Sequence, residues 1–178
     1  MQKLILLICF FTTTTVAFSQ EKAAVPAQDN PLSTFNKRAY GQMKDWLLRS
    51  AEKVPEQHYN FRPTEAVRSF SQIVGHVADV QYMFCSLARG EKNPGLKIEQ
   101  TKTTKADLIA ALKDAFVYCD QAYDSMTDAS GTQMVKLARS DTPKLSVLTV
   151  NLSHSALHYG NLVTYMRLKN IVPPSSER

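Results

Sequence analysis

An all-α domain, a four-helix bundle with crossover connections, is what this 178-residue sequence predicts. Four segments place apolar residues at three- and four-residue steps, and each opens with a helix start signal. Only 6 glycines and 8 prolines occur, too few for a turn-rich all-β chain. Hydrophobic residues make up 44% and charged residues 21%, so wholesale disorder is excluded and one globular domain is the expectation.

The elements follow in order. Residues 1–19 read as a secretory signal peptide. Lys3 is the n-region, Leu4 to Phe11 the apolar h-region, and Ala17-Phe18-Ser19 the cleavage site before Gln20. The h-region is too short to span a bilayer as a stable helix. Cys9 lies inside it, which makes it a poor lipid-attachment site. Export to the periplasm or outside the cell is the expectation, with no stable membrane insertion after signal removal. Residues 20–30 are small and polar, a flexible leader, and the bundle domain is expected over 31–174.

The first helix opens at Asn30-Pro31, an N-cap with proline at N1. Leu32, Phe35, Ala39, Met43, Trp46, Leu47 and Ser50 mark its inner stripe, and it ends near Val54-Pro55. The second opens with a capping box, Ser69 to Gln72, carries Ile73, Val77, Val80, Phe84 and Leu87, and stops at Arg89-Gly90. Residues 91–102 read as a surface crossover loop. The third opens with a capping box at Thr104 to Asp107 and buries Leu108, Leu112, Ala115, Phe116, Cys119, Ala122, Tyr123 and Met126. Residues 127–141 read as a connection with one short extended piece and no convincing strand pair. The fourth runs from Thr142-Pro143 to about Asn170 and is apolar over most of its circumference. Its stripe of Ser153, Ala156, Gly160 and Thr164 is expected to allow a close helix approach.

The formal charge of +5 is spread along the chain without a Lys/Arg run, so nucleic acid is not an expected partner. Cys85 and Cys119 both sit in apolar helical patterns and read as two small buried hydrophobes rather than a bridge.

Chemistry concentrates in the histidines. His154 and His158 stand one helical pitch apart, about 40° on the helical wheel, so both imidazoles leave one face. That face also carries Val147, Val150, Leu157, Asn161 and Tyr165, which points the pair inward. His76 flanks the stripe of the second helix, with Ile73, Val80 and Met83. Three inward histidines with water in the remaining positions are an open metal site. Two readings stand side by side at this point, a metal centre and buried histidines paired with polar neighbours. His58 is assigned to the surface. Asp79, one turn after His76, is either an acceptor for that ring or a solvated charge. No HExxH motif, phosphate-cradling glycine loop or local triad signature is present.

With these residues placed, the chain resembles the DinB-like (DinB/YfiT) superfamily over about residues 31–174. The resemblance rests on Tyr59-Asn60-Phe61-Arg62-Pro63, on Ser69-Phe70 with His76, and above all on His154 to Leu162 followed by Tyr165, Arg167 and Pro173-Pro174. Asn161 stands where the family usually has Gln, and Asn170 where it has a helix-ending Gly. The resemblance implies a four-helix bundle whose metal ligands are His76, His154 and His158, with a divalent ion, zinc or nickel foremost. It further implies chemistry on a small-molecule substrate of hydrolase or S-transferase type, with a non-catalytic metal- or ligand-binding role in the cell envelope as the alternative. A homodimer is left open.

Overall fold

The computed structural model describes residues 29–177; the signal-peptide reading and most of the leader lie outside them. Four long helices carry the fold: α1 (Pro31–Lys53), α2 (Phe70–Arg89), α4 (Lys105–Ser125) and α6 (Lys144–Leu168). Between them lie two single-turn helices, α3 (Ile98–Thr101) and α5 (Asp128–Gly131), and the strands β1 (Met134–Leu137) and β2 (Ser140–Pro143). α2 packs on α4 and α6, and α1 packs on the same two helices from the opposite side. The sequence neighbours α1 and α2 therefore face each other across the bundle, which requires the crossover connections predicted.

The predicted start and stop signals are largely realised. Ser69 Oγ accepts from the Gln72 N–H while Gln72 accepts from the Ser69 N–H, a complete capping box. Thr104 caps α4 by accepting from the Asp107 N–H, without the reciprocal bond. Gly90 ends α2 at φ 76°, a left-handed position that glycine adopts without steric cost. Asn170 takes the same role after α6 at φ 58°.

Four expectations are corrected. Asn30 does not cap α1 with its own side chain. Instead the Asp128 carboxylate accepts from the N–H groups of Leu32 and Ser33, and Asn30 Oδ1 accepts from the Asp128 N–H. This cap, together with Asn36–Thr149 and Tyr40–Asp120 hydrogen bonds, turns Ser33, Asn36 and Tyr40 inward. Leu32 (65% exposed) and Phe35 (62%) are left at the surface.

Next, residues 134–143 form a two-stranded antiparallel hairpin, pairing Val135 with Thr142 and Leu137 with Ser140. β2 is polar and opens on Ser140 and Asp141, so it lacks the alternating apolar pattern that announces a strand.

The small-residue stripe of α6 faces outward, with Ser153, Ala156, Gly160 and Thr164 all exposed, and Val150 and Leu157 share that outer side. Buried hydrogen bonds select the inner face. Gln81 of α2 donates to Ser155 Oγ at 2.9 Å and accepts from Asn151 at 2.8 Å.

Finally, Cys85 and Cys119 are both buried as expected, but their sulfurs are bonded to each other. The packing of α2 on α4 brings their Cα atoms to 5.3 Å, within the span a disulfide bridges.

Candidate metal centre

α2 and α6 pack along a shared seam, and that seam positions the three predicted histidines. His76 projects from α2 between the buried stripe and solvent, while the one-pitch pair of α6 reaches across from His154 and His158. His76 Nε2 lies 3.2 Å from His154 Nε2, and His158 Nε2 lies 3.2 Å from the same atom. In each case the candidate ligand atoms fall within 4.8 Å of one another, and the cluster has these three members among the described residues. His58 stays outside it, half-buried in the turn Glu56–His58.

The convergence of three Nε2 atoms has a chemical consequence. His76 Nδ1 faces the Glu99 carboxylate at 3.1 Å; an ionised carboxylate only accepts, so Nδ1 carries the proton and Nε2 is a bare lone pair. One proton on His154 Nε2 could serve one neighbouring ring and would leave the other nitrogen facing it unsatisfied. A shared cation satisfies all three. Zn–N bonds of about 2.0–2.1 Å at tetrahedral angles separate ligand nitrogens by about 3.3 Å, close to the 3.2 Å spacings found. The donor set, three imidazoles, suits a first-row transition-metal ion.

The histidines are also held in the protonation state that ligands need. Burial, reinforced by His76 and Arg68, lowers the pKa of His154 to about 4. Burial, with His154, His76 and Arg68 adding to it and Glu99 opposing, lowers His158 to about 4. His76 is lowered too, mainly by burial, with Glu99 opposing. All three are neutral at pH 7, so metal binding displaces no imidazolium proton there.

A stability prediction follows for the metal-free protein. The unfolded chain binds protons on these histidines below about pH 6.5, whereas folded His154 and His158 bind them only near 4. Between those values the unfolded state holds more protons, so stability falls as pH falls, and it is fully present above about 6.5. Thermal melts of metal-free protein should show Tm dropping from pH 6.5 toward 4.5, and less steeply in His158→Gln. Equal slopes in the two proteins would contradict this origin.

Glu99 is the site residue that sequence reasoning missed. It sits on α3, inside the stretch read as a surface crossover loop, and two devices place it. Asp79 accepts from the backbone N–H groups of Ile98 at 2.8 Å and Glu99 at 2.9 Å. Asp79 is thus neither an acceptor for His76 nor a solvated charge; it acts on the ring by holding the segment that carries Glu99. Gly75, directly before His76, lets that segment approach, because a Cβ at position 75 would lie 2.7 Å from Glu99 Cα. The nearest sequence signal is the acidic residue of Lys97-Ile98-Glu99-Gln100, which has no local mark of its partner. Gly75→Ala should cost about 1–3 kcal/mol through overpacking and weaken zinc binding by displacing Glu99. Urea unfolding and a zinc titration check both; a neutral result in each would mean that α3 does not depend on this approach.

Around the remaining rings, the Asn161 side-chain nitrogen Nδ2 stands 3.5 Å from His158 Nδ1. Reversing the amide about its last torsion would present Oδ1 instead, which could accept Nδ1–H and leave Nε2 for a ligand. His154 Nδ1 is buried with no hydrogen-bond partner among the described residues. A cavity of about 480 Å³ borders His158, lined by the 63–68 connection and by Ile73, Asn161, Thr164 and Tyr165. A larger one of about 600 Å³ lies between α1, the hairpin and the start of α6, away from the histidines.

Comparison with known proteins identifies the family and the fold. The family model of the DinB superfamily matches residues 39–162. The chain belongs to the DinB superfamily. Among curated proteins it is 23% identical over 120 residues to the uncharacterized protein YjoA of Bacillus subtilis, covering 66% of this chain and 77% of YjoA. The crystal structure of YjoA superposes with a TM-score of 0.65 at 19% identity, over 81% of this chain and 99% of that one. A DinB-like protein from Bacillus cereus superposes with a TM-score of 0.69 at 11% identity, over 78% of this chain and 93% of that one. The mycothiol-dependent maleylpyruvate isomerase shares the fold at a TM-score of 0.63 and 14% identity, over 73% of this chain and 60% of the isomerase. These likenesses confirm the all-α bundle of the DinB-like type.

Proposed function

We propose that this protein is a divalent-metal-dependent enzyme acting on a small molecule, with His76, His154 and His158 as the ligands. The observation that carries this reading is the meeting of three neutral imidazole Nε2 atoms beside a cavity of about 480 Å³. Three protein ligands leave a coordination position open, the arrangement of catalytic rather than structural sites. A bound ion supplies Lewis acidity and lowers the pKa of a water or thiol held beside it.

The chain's own residues do the rest. Glu99 accepts Nδ1–H of His76 and so fixes which nitrogen faces the cluster. Asn161 stands against His158 Nδ1 on the cavity side. Phe84 packs edge-on against His154, ring centroids 6.2 Å apart, and shields the inner side of the cluster from water. Zinc or nickel is the proposed ion, and hydrolysis or S-transfer the proposed reaction class. By fold-level analogy with a mycothiol-dependent isomerase, S-transfer on such a frame would take a thiol as co-substrate. The Lys3, Leu4–Phe11 and Ala17-x-Ser19 pattern supports export to the periplasm or beyond; amino-terminal sequencing of the protein from its native cells should begin at Gln20.

Elemental analysis of purified protein, then a panel of ester, amide and thiol-transfer substrates with and without chelator, tests the proposal. One equivalent of metal and chelator-sensitive turnover support it. Metal without turnover favours the non-catalytic binding role, and no metal with intact folding overturns both.

A further inference from the structure

The cavity beside His158 has a distinctive lining. Pro63, Ala66, Val67 and Ile73 supply an apolar wall, Arg68 stands at its edge, and no carboxylate lines it. Arg68 is anchored from two sides. Its backbone carbonyl accepts from Tyr165 Oη at 2.8 Å, which ties the residue to the helix that carries the histidine pair. Its Nε donates to Glu99 Oε1 at 2.8 Å, which orients the guanidinium plane. Only that nitrogen has a partner among the described residues, so the two terminal nitrogens keep their N–H groups for something else.

The local charge balance sets the sign of that partner. The Glu99 carboxylate offsets the Arg68 guanidinium, the three imidazoles are neutral, and a divalent ion on them makes the site net positive. Asn161 and Thr164 add polar groups on the opposite wall. We infer that this cavity takes a small carboxylate with an apolar body, and that Arg68 is its anion-binding residue. The inference rests on the metal-centre reading for the full charge of the site, but the guanidinium and the apolar wall are present without an ion. A planar, pre-oriented guanidinium pairs two N–H groups with a carboxylate, which a lysine or an amide cannot reproduce. The bland alternative is that Arg68, 45% exposed, serves only as the surface partner of Glu99.

Benzoate and its neutral isostere benzamide separate these possibilities by calorimetric titration. Zinc alone is titrated first, and that arm judges the metal centre by itself. Benzoate is then titrated into zinc-loaded and metal-free wild type, Arg68→Gln and Glu99→Gln, each checked for native helicity. Benzoate should bind wild type about tenfold or more tighter than benzamide, the usual weight of a charge-assisted hydrogen bond. Arg68→Gln should lose that advantage. Glu99→Gln should keep it, because the amide oxygen can still accept from Nε and hold the guanidinium plane. An Arg68 that serves only Glu99 gives the opposite pattern, with benzoate binding unchanged in Arg68→Gln. That result, equal binding of benzoate and benzamide, or no benzoate binding to either form, overturns the inference. Absent zinc binding with Arg68-dependent benzoate binding retained would sink the metal centre and leave the anion site standing.

Discussion

His154→Ala should abolish stoichiometric divalent-metal binding and leave the bundle folded. His154 Nε2 is the central atom of the cluster, 3.2 Å from both other candidate ligands. Losing a residue that merely supports a metal ligand typically costs about 10–100-fold in affinity, so losing a ligand itself should cost roughly a hundredfold or more. The fold does not depend on it. The core is built from apolar side chains of all four long helices, among them Leu47, Ile73, Leu112, Phe116, Leu148 and Leu162. His154 is only half-buried, and its Nδ1 has no hydrogen bond to lose among the described residues. Calorimetric zinc titration with circular dichroism on the same samples separates the two effects. Metal binding unchanged in a folded variant would leave only a buried histidine with polar neighbours.

The second large effect belongs to the disulfide. Cys85 and Cys119 close a loop of sequence separation 34 between α2 and α4. By the loop-entropy relation such a cross-link contributes about 4 kcal/mol through the unfolded state, and for a domain of this size that is about 10 °C in Tm. The paired substitution Cys85→Ala with Cys119→Ala should therefore melt well below wild type under oxidising conditions. Reductant added to unfolded wild type should lower its stability toward the variant on refolding, while the variant itself should not respond. Equal stability of oxidised wild type and variant would show that the bridge contributes nothing net.

What was legible in the sequence follows from distance along the chain. The four helices announce themselves through periods of three and four residues and through caps a few residues wide, such as Ser69 with Gln72. The histidine pair is one helical pitch, again local, and His76 stands beside an apolar stripe. Features that depend on residues far apart left no such mark. Asp128 caps α1 from 95 residues away. Glu99 reaches His76 only because Asp79 and Gly75 bring α3 against α2. Leu32 and Phe35 fit an inner stripe by spacing, yet bonds to Asp128, Thr149 and Asp120 rotate α1 so that Ser33, Asn36 and Tyr40 face inward. The outward turn of Ser153, Ala156 and Gly160 on α6 has the same kind of cause, the buried hydrogen bonds that Gln81 makes to Asn151 and Ser155.

Anomalous scattering at the zinc edge from crystals of the zinc-loaded protein tests the three-histidine centre most directly. The expected result is a single strong peak about 2.0–2.1 Å from the Nε2 atoms of His76, His154 and His158. Glu99 should be retained on His76 Nδ1, and the remaining coordination should face the cavity beside His158. No peak at the cluster, or a peak coordinated by other residues while the three rings keep their 3.2 Å spacings, would contradict it.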